Sequence, residues 1–223
     1  GLRQIVVPAT GLERYRGDNL ASADTDPEFR QVLRAMLFID VCGSSTVADD
    51  LVPVFVTSVM SVLAQVCDGL EPAPLHANSW GDGLFLAFRD VGEAARAADA
   101  LRRAFAAIDL AALGLPEHLA LRIGGHYGPV HEAQDPLRKT PTLFGGQVAI
   151  ASRIERATLP GSIFVSAFFA AALAMARGSE FRCEYVGQTA IDALMPEVGM
   201  YSLRAVAADC PAALDAAASV GGA

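Results

Sequence analysis

Two aspartates placed at the ends of strand-like runs constrain this chain most. Asp40 closes the apolar run Met36-Leu37-Phe38-Ile39-Asp40-Val41 and is followed by the small polar segment Cys42-Gly43-Ser44-Ser45-Thr46. Asp82 sits in Trp80-Gly81-Asp82-Gly83, between two further strand-like segments, where the glycines read as a hairpin turn. If those strands are neighbours in one sheet, the two carboxylates converge. Hard oxygen ligands of that kind suit Mg²⁺ or Mn²⁺. A short polar loop beside them, leading into a helix, suits a polyphosphate. Together they point to two-metal phosphoryl chemistry.

The order of elements then bounds the fold. The pattern predicts a strand over about 34–41, a helix over 47–67, strands near 75–79 and 83–89, and a helix over 91–108 capped by Asp90. A strand follows over 119–128, then a polar loop over 131–142 and a helix over 144–158. A strand at 162–165, a short Ala-rich helix at 167–176 and strands near 182–187 and 199–204 complete the pattern. The order β-α-β-β-α-β makes this an α+β chain with a ferredoxin-like core and a C-terminal extension. Residues 1–33 read as an N-terminal arm, 34–204 as one catalytic domain, and 205–223 as a frayed Ala/Gly-rich tail.

Composition narrows the partners. A net charge of −8 argues against a broad nucleic-acid surface. Lys139 is the only lysine, so neutralising phosphate falls mainly to arginine, which prefers forked contacts to oxyanions. Cys42, Cys67, Cys183 and Cys210 form no CxxC pair, and their wide spacing gives neither a disulfide nor a zinc framework. No signal-peptide pattern is visible, and a reduced, cytoplasmic protein is the simplest expectation. The apolar stretch 51–66 is interrupted by Pro53, Thr57, Ser58, Ser61 and Gln65. It falls short of the roughly 18–20 continuous apolar residues of a membrane span, so a buried amphipathic helix is expected and no membrane partner.

Five motifs in order carry a resemblance: Phe38-Ile39-Asp40-Val41 with Gly43-Ser44; Gly81-Asp82-Gly83; Leu121-Arg122-Ile123-Gly124-Gly125-His126-Tyr127-Gly128; Phe144-Gly145 with Val148-Ala149, Ala151-Ser152-Arg153; and Pro160-Gly161-Ser162-Ile163-Phe164-Val165-Ser166. From about Arg34 to Leu203 the chain resembles the class III nucleotidyl cyclases, the adenylate and guanylate cyclase catalytic domain. The resemblance implies a head-to-tail homodimer with active sites at the interface. It implies two ions, Mn²⁺ or Mg²⁺, held by Asp40, Asp82 and the carbonyl of Val41. Backbone N–H groups of Cys42, Gly43, Ser44, Ser45 and Thr46 would cradle phosphate, although Ser45 and Thr46 equally suit a helix N-cap. Arg153, from the partner protomer, would stabilise charge on the α-phosphate; an interface salt bridge is the plainer alternative. Arg138 and Lys139 stand where the family often carries a basic residue for the outer phosphates, with loop solvation as the competing role. Cys42 reads as a small packed thiol, His126 as a satisfied strand residue and Trp80 as packing beside the hairpin.

Departures from the family pattern concern the base. Adenylate cyclases carry a lysine four residues before the second metal aspartate, and Asn78 holds that place. They carry an aspartate three residues before the interface-helix glycine, and Thr142 holds that one. The ribose-orienting asparagine is Ala149, and no lysine follows Lys139. Neutral Asn78 and Thr142 can each donate or accept, so they suit another base edge. The pattern resembles the pyrimidine cyclases of the Pycsar antiphage defence, which make cyclic UMP or cyclic CMP for a separate effector. Arg16, in Arg14-Tyr15-Arg16-Gly17, would then help bind nucleotide or serve as a charged arm. The expected activity is conversion of UTP to cyclic UMP. A cytidylate or adenylate cyclase, or a degenerate nucleotide-binding or dimerisation module, remains open, because Asn78 serves either pyrimidine after an amide flip.

Overall fold

The structure is a computed structural model that describes residues 30–176, 180–189 and 197–206. The expectations for Arg16, for most of the arm and for the tail beyond Val206, with Cys210, lie outside these residues.

One eight-stranded sheet organises the chain. Its strands are β1 (Arg30–Cys42), β2 (His76–Trp80), β3 (Gly83–Phe88), β4 (Ala120–Gln134), β5 (Pro141–Phe144), β6 (Ile163–Ser166), β7 (Phe181–Thr189) and β8 (Val198–Ala205). The spatial order is β2-β3-β1-β4-β6-β8-β7, with β5 paired to β4. The first four strands pair with one another antiparallel and form the ferredoxin-like order. Among the described strands, only β6 and β4 pair in parallel.

Alternation along the strands assigns the two faces. Leu37, Ile39, Val41, Leu84, Leu86, Leu121 and Ile123 point into the main core. Three helices cover that side: α1 (Asp49–Asp68), α2 (Val91–Ala106) and α4 (Ala167–Met175), the last following α3 (Gly146–Ala157) in sequence. Helix α2 begins where Asp90 Oδ1 accepts from the N–H groups of Gly92 and Glu93, at 2.7 and 3.2 Å. Met36, Phe38, Phe85 and Val130 point to the opposite face, where α3 (Gly146–Ala157) packs through Val148 and Ala151. That helix sits close because Gly124 has no side chain. A Cβ there would lie 2.1 Å from the backbone nitrogen of Glu155.

Three expectations need correction. The stretch 131–142 is not a polar loop: β4 runs on to Gln134 and β5 returns along it, pairing Glu132 with Leu143 and Ala133 with Thr142. The first strand begins at Arg30, inside the expected arm. The helix after Asp40 starts at Asp49, as a 3-10 turn, and passes through a π-helical stretch at Phe55–Met60. Only its stripe of Phe55, Val59 and Leu63 is buried, so the expected buried helix holds for one stripe alone. By length and composition this helix is long and apolar enough to cross a membrane, with 17% of its apolar window buried in the fold.

Candidate active site

Register brings the two aspartates together. Asp40 pairs with Gly83 on β3, so Asp82, in the turn before Gly83, lies at the same end of the sheet. Gly81 supplies the positive φ (63°) that the two-residue turn needs, and Asp82 is the second turn residue. Val41 lies one residue past the last β1–β3 pair. Gly43, at φ 84°, then turns the chain into a single 3-10 turn, Ser44–Thr46. The Ser44 hydroxyl donates to Asp82 Oδ2. Thr46 is held within the turn: its N–H and Oγ1 both donate to the Gly43 carbonyl, at 2.9 and 2.7 Å, and Oγ1 lies 2.9 Å from His118 Nε2. Neither Ser45 nor Thr46 acts as a helix N-cap; Gly43 and Ala48 hold the cap positions.

The electrostatics match a cation site. Burial, then the neighbouring charge of Asp82, pushes the Asp40 carboxyl above its usual range, and the Arg122 guanidinium only partly opposes this. Two half-exposed carboxylates that repel each other are what a divalent ion relieves. Among the described residues, no group of three or more His, Cys, Asp and Glu side chains is placed to hold a metal. The donor set therefore fits ions that take the rest of their oxygens from backbone, water and phosphate, as Mg²⁺ does.

Two residues of the site had no assigned role at the sequence level. Arg122 stands opposite Asp40 on β4, with Nε and Nη2 at 3.0 and 2.7 Å from Asp40 Oδ2. The same guanidinium meets Glu155 of α3. Burial pushes the Glu155 carboxyl up, against the lowering effect of Arg122. The signal for Arg122 was its alternation with Gly124 and His126 on the α3 face of β4; nothing local marks Glu155.

Arg153 lies two residues before Glu155 on α3, about 200° around the helix from it. It shares a face with Ala149.

On the same sheet face, His76, Asn78 and Trp80 line one side of β2. Tilted ring contacts connect His76 to Phe85, Phe85 to Phe38 and Phe38 to Trp80. Trp80 is 47% exposed, so its packing is one-sided. A cleft of about 360 Å³ opens here, lined by His76, Thr142, Gln134 and the paired Arg34 and Glu132. Burial pulls the His76 imidazole below its ordinary value, while a hydrogen bond to the Pro141 backbone opposes this. Asn78 and Arg138 are bonded to each other, Arg138 Nη1 lying 2.6 Å from Asn78 Oδ1. His126 is a fully buried strand residue bonded to Ser166 and Gln147. The described cysteines, Cys42, Cys67 and Cys183, are free.

Residues 29–205 match the family model described as the adenylate and guanylate cyclase catalytic domain. Among solved structures, the adenylyl cyclase CyaB from P. aeruginosa is similar at 18% identity and TM-score 0.71, over 82% of this chain and all of that one. The guanylyl cyclase Cya2 is similar at 19% identity and TM-score 0.68, over 79% of this chain and 93% of that one. A rhodopsin-guanylyl cyclase core with converted specificity, in complex with ATPalphaS, is similar at 17% identity and TM-score 0.65, over 80% and 99%. No curated protein matches the chain in sequence.

Proposed function

From the premise that the chain belongs to the adenylate and guanylate cyclase catalytic-domain family, and so is a nucleotide cyclase domain, we propose that it is a uridylate cyclase. It converts UTP to 3′,5′-cyclic UMP and pyrophosphate. The observation that carries the chemistry is the convergence of Asp40 and Asp82 beside the Ser44 turn.

The 3′-oxygen attacks the α-phosphorus, the bond to the α–β bridging oxygen breaks, pyrophosphate leaves with that oxygen, and the 3′-hydroxyl proton passes to water. Because the attack is intramolecular, the protein chiefly positions the hydroxyl and neutralises charge. Two divalent ions, Mn²⁺ or Mg²⁺, held by Asp40, Asp82 and the Val41 carbonyl, would supply acidity to the hydroxyl and charge to the phosphates. Ser44 holds Asp82 in place, and the Cys42–Thr46 turn lies beside the phosphate path. Arg122, which grips Asp40, would be available to phosphate if a divalent ion took its place. Arg153 stands on α3 where the family carries its interface-helix arginine, which supports a homodimer in which each protomer completes the other's site.

Asn78, on the same side of β2 as the cleft-lining His76, and Thr142, which lines that cleft, are both uncharged and support a pyrimidine substrate over adenine; CTP is the runner-up. The product would act as a second messenger in antiphage defence through a separate effector, in the cytoplasm. Purified protein incubated with ATP, GTP, CTP or UTP and Mn²⁺, with products separated by mass, tests the reading. Cyclic UMP from UTP is the expected result. No cyclic product from any nucleotide would leave a binding or dimerisation module.

A further inference from the structure

The tip of the β4–β5 hairpin is cross-tied by hydrogen bonds and reaches β2 through Arg138. Asp135 Oδ1 accepts from the N–H groups of Leu137 and Arg138, at 2.8 and 2.9 Å. The Asp135 carbonyl accepts from the N–H of Lys139 at 2.8 Å, and the Gln134 side-chain amide donates to the Lys139 carbonyl at 3.0 Å. Lys139 itself adopts a left-handed φ of 56°. The turn therefore presents Arg138 in one direction, across to Asn78.

That contact decides which way round the amide sits. A guanidinium carries only donors, so the Asn78 atom it meets has to be the carbonyl oxygen. Oδ1 is thereby spent on Arg138. Nδ2 has no bonded acceptor among the described residues and stays free to donate. The Thr142 hydroxyl beside the cleft donates or accepts as its partner requires, so it does not discriminate. Asn78 does.

We infer that Arg138 is a positioning residue that fixes Asn78 as a donor, so the site takes bases with a carbonyl beside a ring N–H and rejects bases with an amino group beside a bare ring nitrogen. Uracil and guanine are of the first kind, cytosine and adenine of the second. This rests on the cyclase site proposed above and separates UTP from CTP within it. Uracil O4 accepts from Asn78 Nδ2 and its N3–H donates to Thr142 Oγ1. Cytosine would set its amino group against Nδ2, leaving two donors facing each other. A mismatch of this type lowers affinity by about tenfold to a hundredfold.

The test uses 3′-deoxynucleoside triphosphates, which bind but cannot cyclise, titrated calorimetrically with Mn²⁺ into the full chain and its variants. Wild type is expected to favour 3′-deoxy-UTP over 3′-deoxy-CTP by about tenfold or more, and the guanine over the adenine analogue in the same sense. Arg138→Met frees the amide to turn and should bring both ratios towards one. Asn78→Asp offers only acceptors and should reverse them. A wild-type preference for the cytosine or adenine analogue overturns the inference, as does an Arg138→Met ratio equal to wild type. Failure of every analogue to bind removes the nucleotide site and the inference with it. The expected ratios without cyclic product from the natural triphosphates would leave the inference standing and sink the catalytic reading.

Discussion

Arg122 faces Asp40 across the β1–β4 ladder with Nη2 2.7 Å from Asp40 Oδ2, so the protein's own cation already holds the carboxylate that an incoming ion would need. Glu155 holds the other side of that guanidinium. The chain Asp40–Arg122–Glu155 ties β1, β4 and α3 together at the site. Replacing Arg122 by Met leaves two partly buried carboxylates without their counter-charge. The metal-free protein should lose about 1–3 kcal/mol, since removing one partner strands the others. Mn²⁺ should then raise the melting temperature more in the variant than in wild type. Equal rises in thermal melts with and without Mn²⁺ would show that Arg122 and the ion do not compete.

Asp40→Asn and Asp82→Asn separate catalysis from folding. Either change should cut cyclic nucleotide formation on the order of a hundredfold or more, because charge neutralisation in the transition state is removed. Burial and the charge of Asp82 push the Asp40 carboxyl above its usual range, with Arg122 opposing in part, so the fold disfavours charge there. The Asp40→Asn protein should therefore melt, without metal, no lower than wild type. Such a balance, function held against local stability, is common at active sites. Turnover near the wild-type rate in both variants would rule out these residues as the metal ligands.

Local chemistry made the two aspartates legible. A strand-ending Asp40 and a Gly-flanked Asp82 each declare their backbone, and the antiparallel register does the rest. Asp90 was equally readable, because capping depends on neighbours two and three residues away. The β4–β5 hairpin was not readable: Glu132, Gln134 and Thr142 give no apolar alternation, since that ribbon borders a polar cleft. The Arg122–Glu155 and Arg138–Asn78 contacts join residues 33 and 60 positions apart (155 − 122 and 138 − 78). No periodicity signals partners at such distances. The exposed side of α1 misled for a related reason, because apolar composition does not say which stripe meets the core.

Gly124 tests how tightly α3 must approach. A Cβ would stand 2.1 Å from the Glu155 nitrogen and 2.4 Å from its Cα, and both are backbone atoms that no rotamer change can move. Gly124→Ala should push α3 off β4 and destabilise the fold by about 3 kcal/mol, the upper part of the range for overpacking. Glu155 would leave Arg122 in the same movement, so activity should fall more than stability alone explains. Gly125, on the other sheet face, meets Val165 Cγ1 at 2.9 Å, a side-chain atom, and Gly125→Ala should cost less. Denaturant melts of the two variants give the comparison; equal losses would mean that the close approach of α3 is not what Gly124 provides.

His126 makes the stability pH-dependent in a defined window. The ring is fully buried, with Nδ1 2.8 Å from Ser166 Oγ and Nε2 2.7 Å from Gln147 Oε1. Ser166 Oγ also accepts from the Phe169 N–H at 3.1 Å, which caps α4, and Gln147 lies in the first turn of α3. The neutral ring suits both contacts when Nε2–H donates to Gln147 and Nδ1 accepts from the Ser166 hydroxyl. Burial lowers the imidazole pKa below the ordinary 6.5, against the raising effect of the Gln147 contact. Below 6.5 the unfolded chain therefore binds a proton that the folded one refuses. Stability is full above about pH 6.5 and falls as pH drops towards the lowered folded value. His76 shifts in the same direction, so wild type alone cannot separate the two. His126→Ala should cost about 2–4 kcal/mol at neutral pH through the lost volume and hydrogen bonds. Between pH 6.5 and 5 it should lose less further stability than wild type does. Urea denaturation across that range measures both slopes, and parallel slopes would show that His126 does not carry the effect.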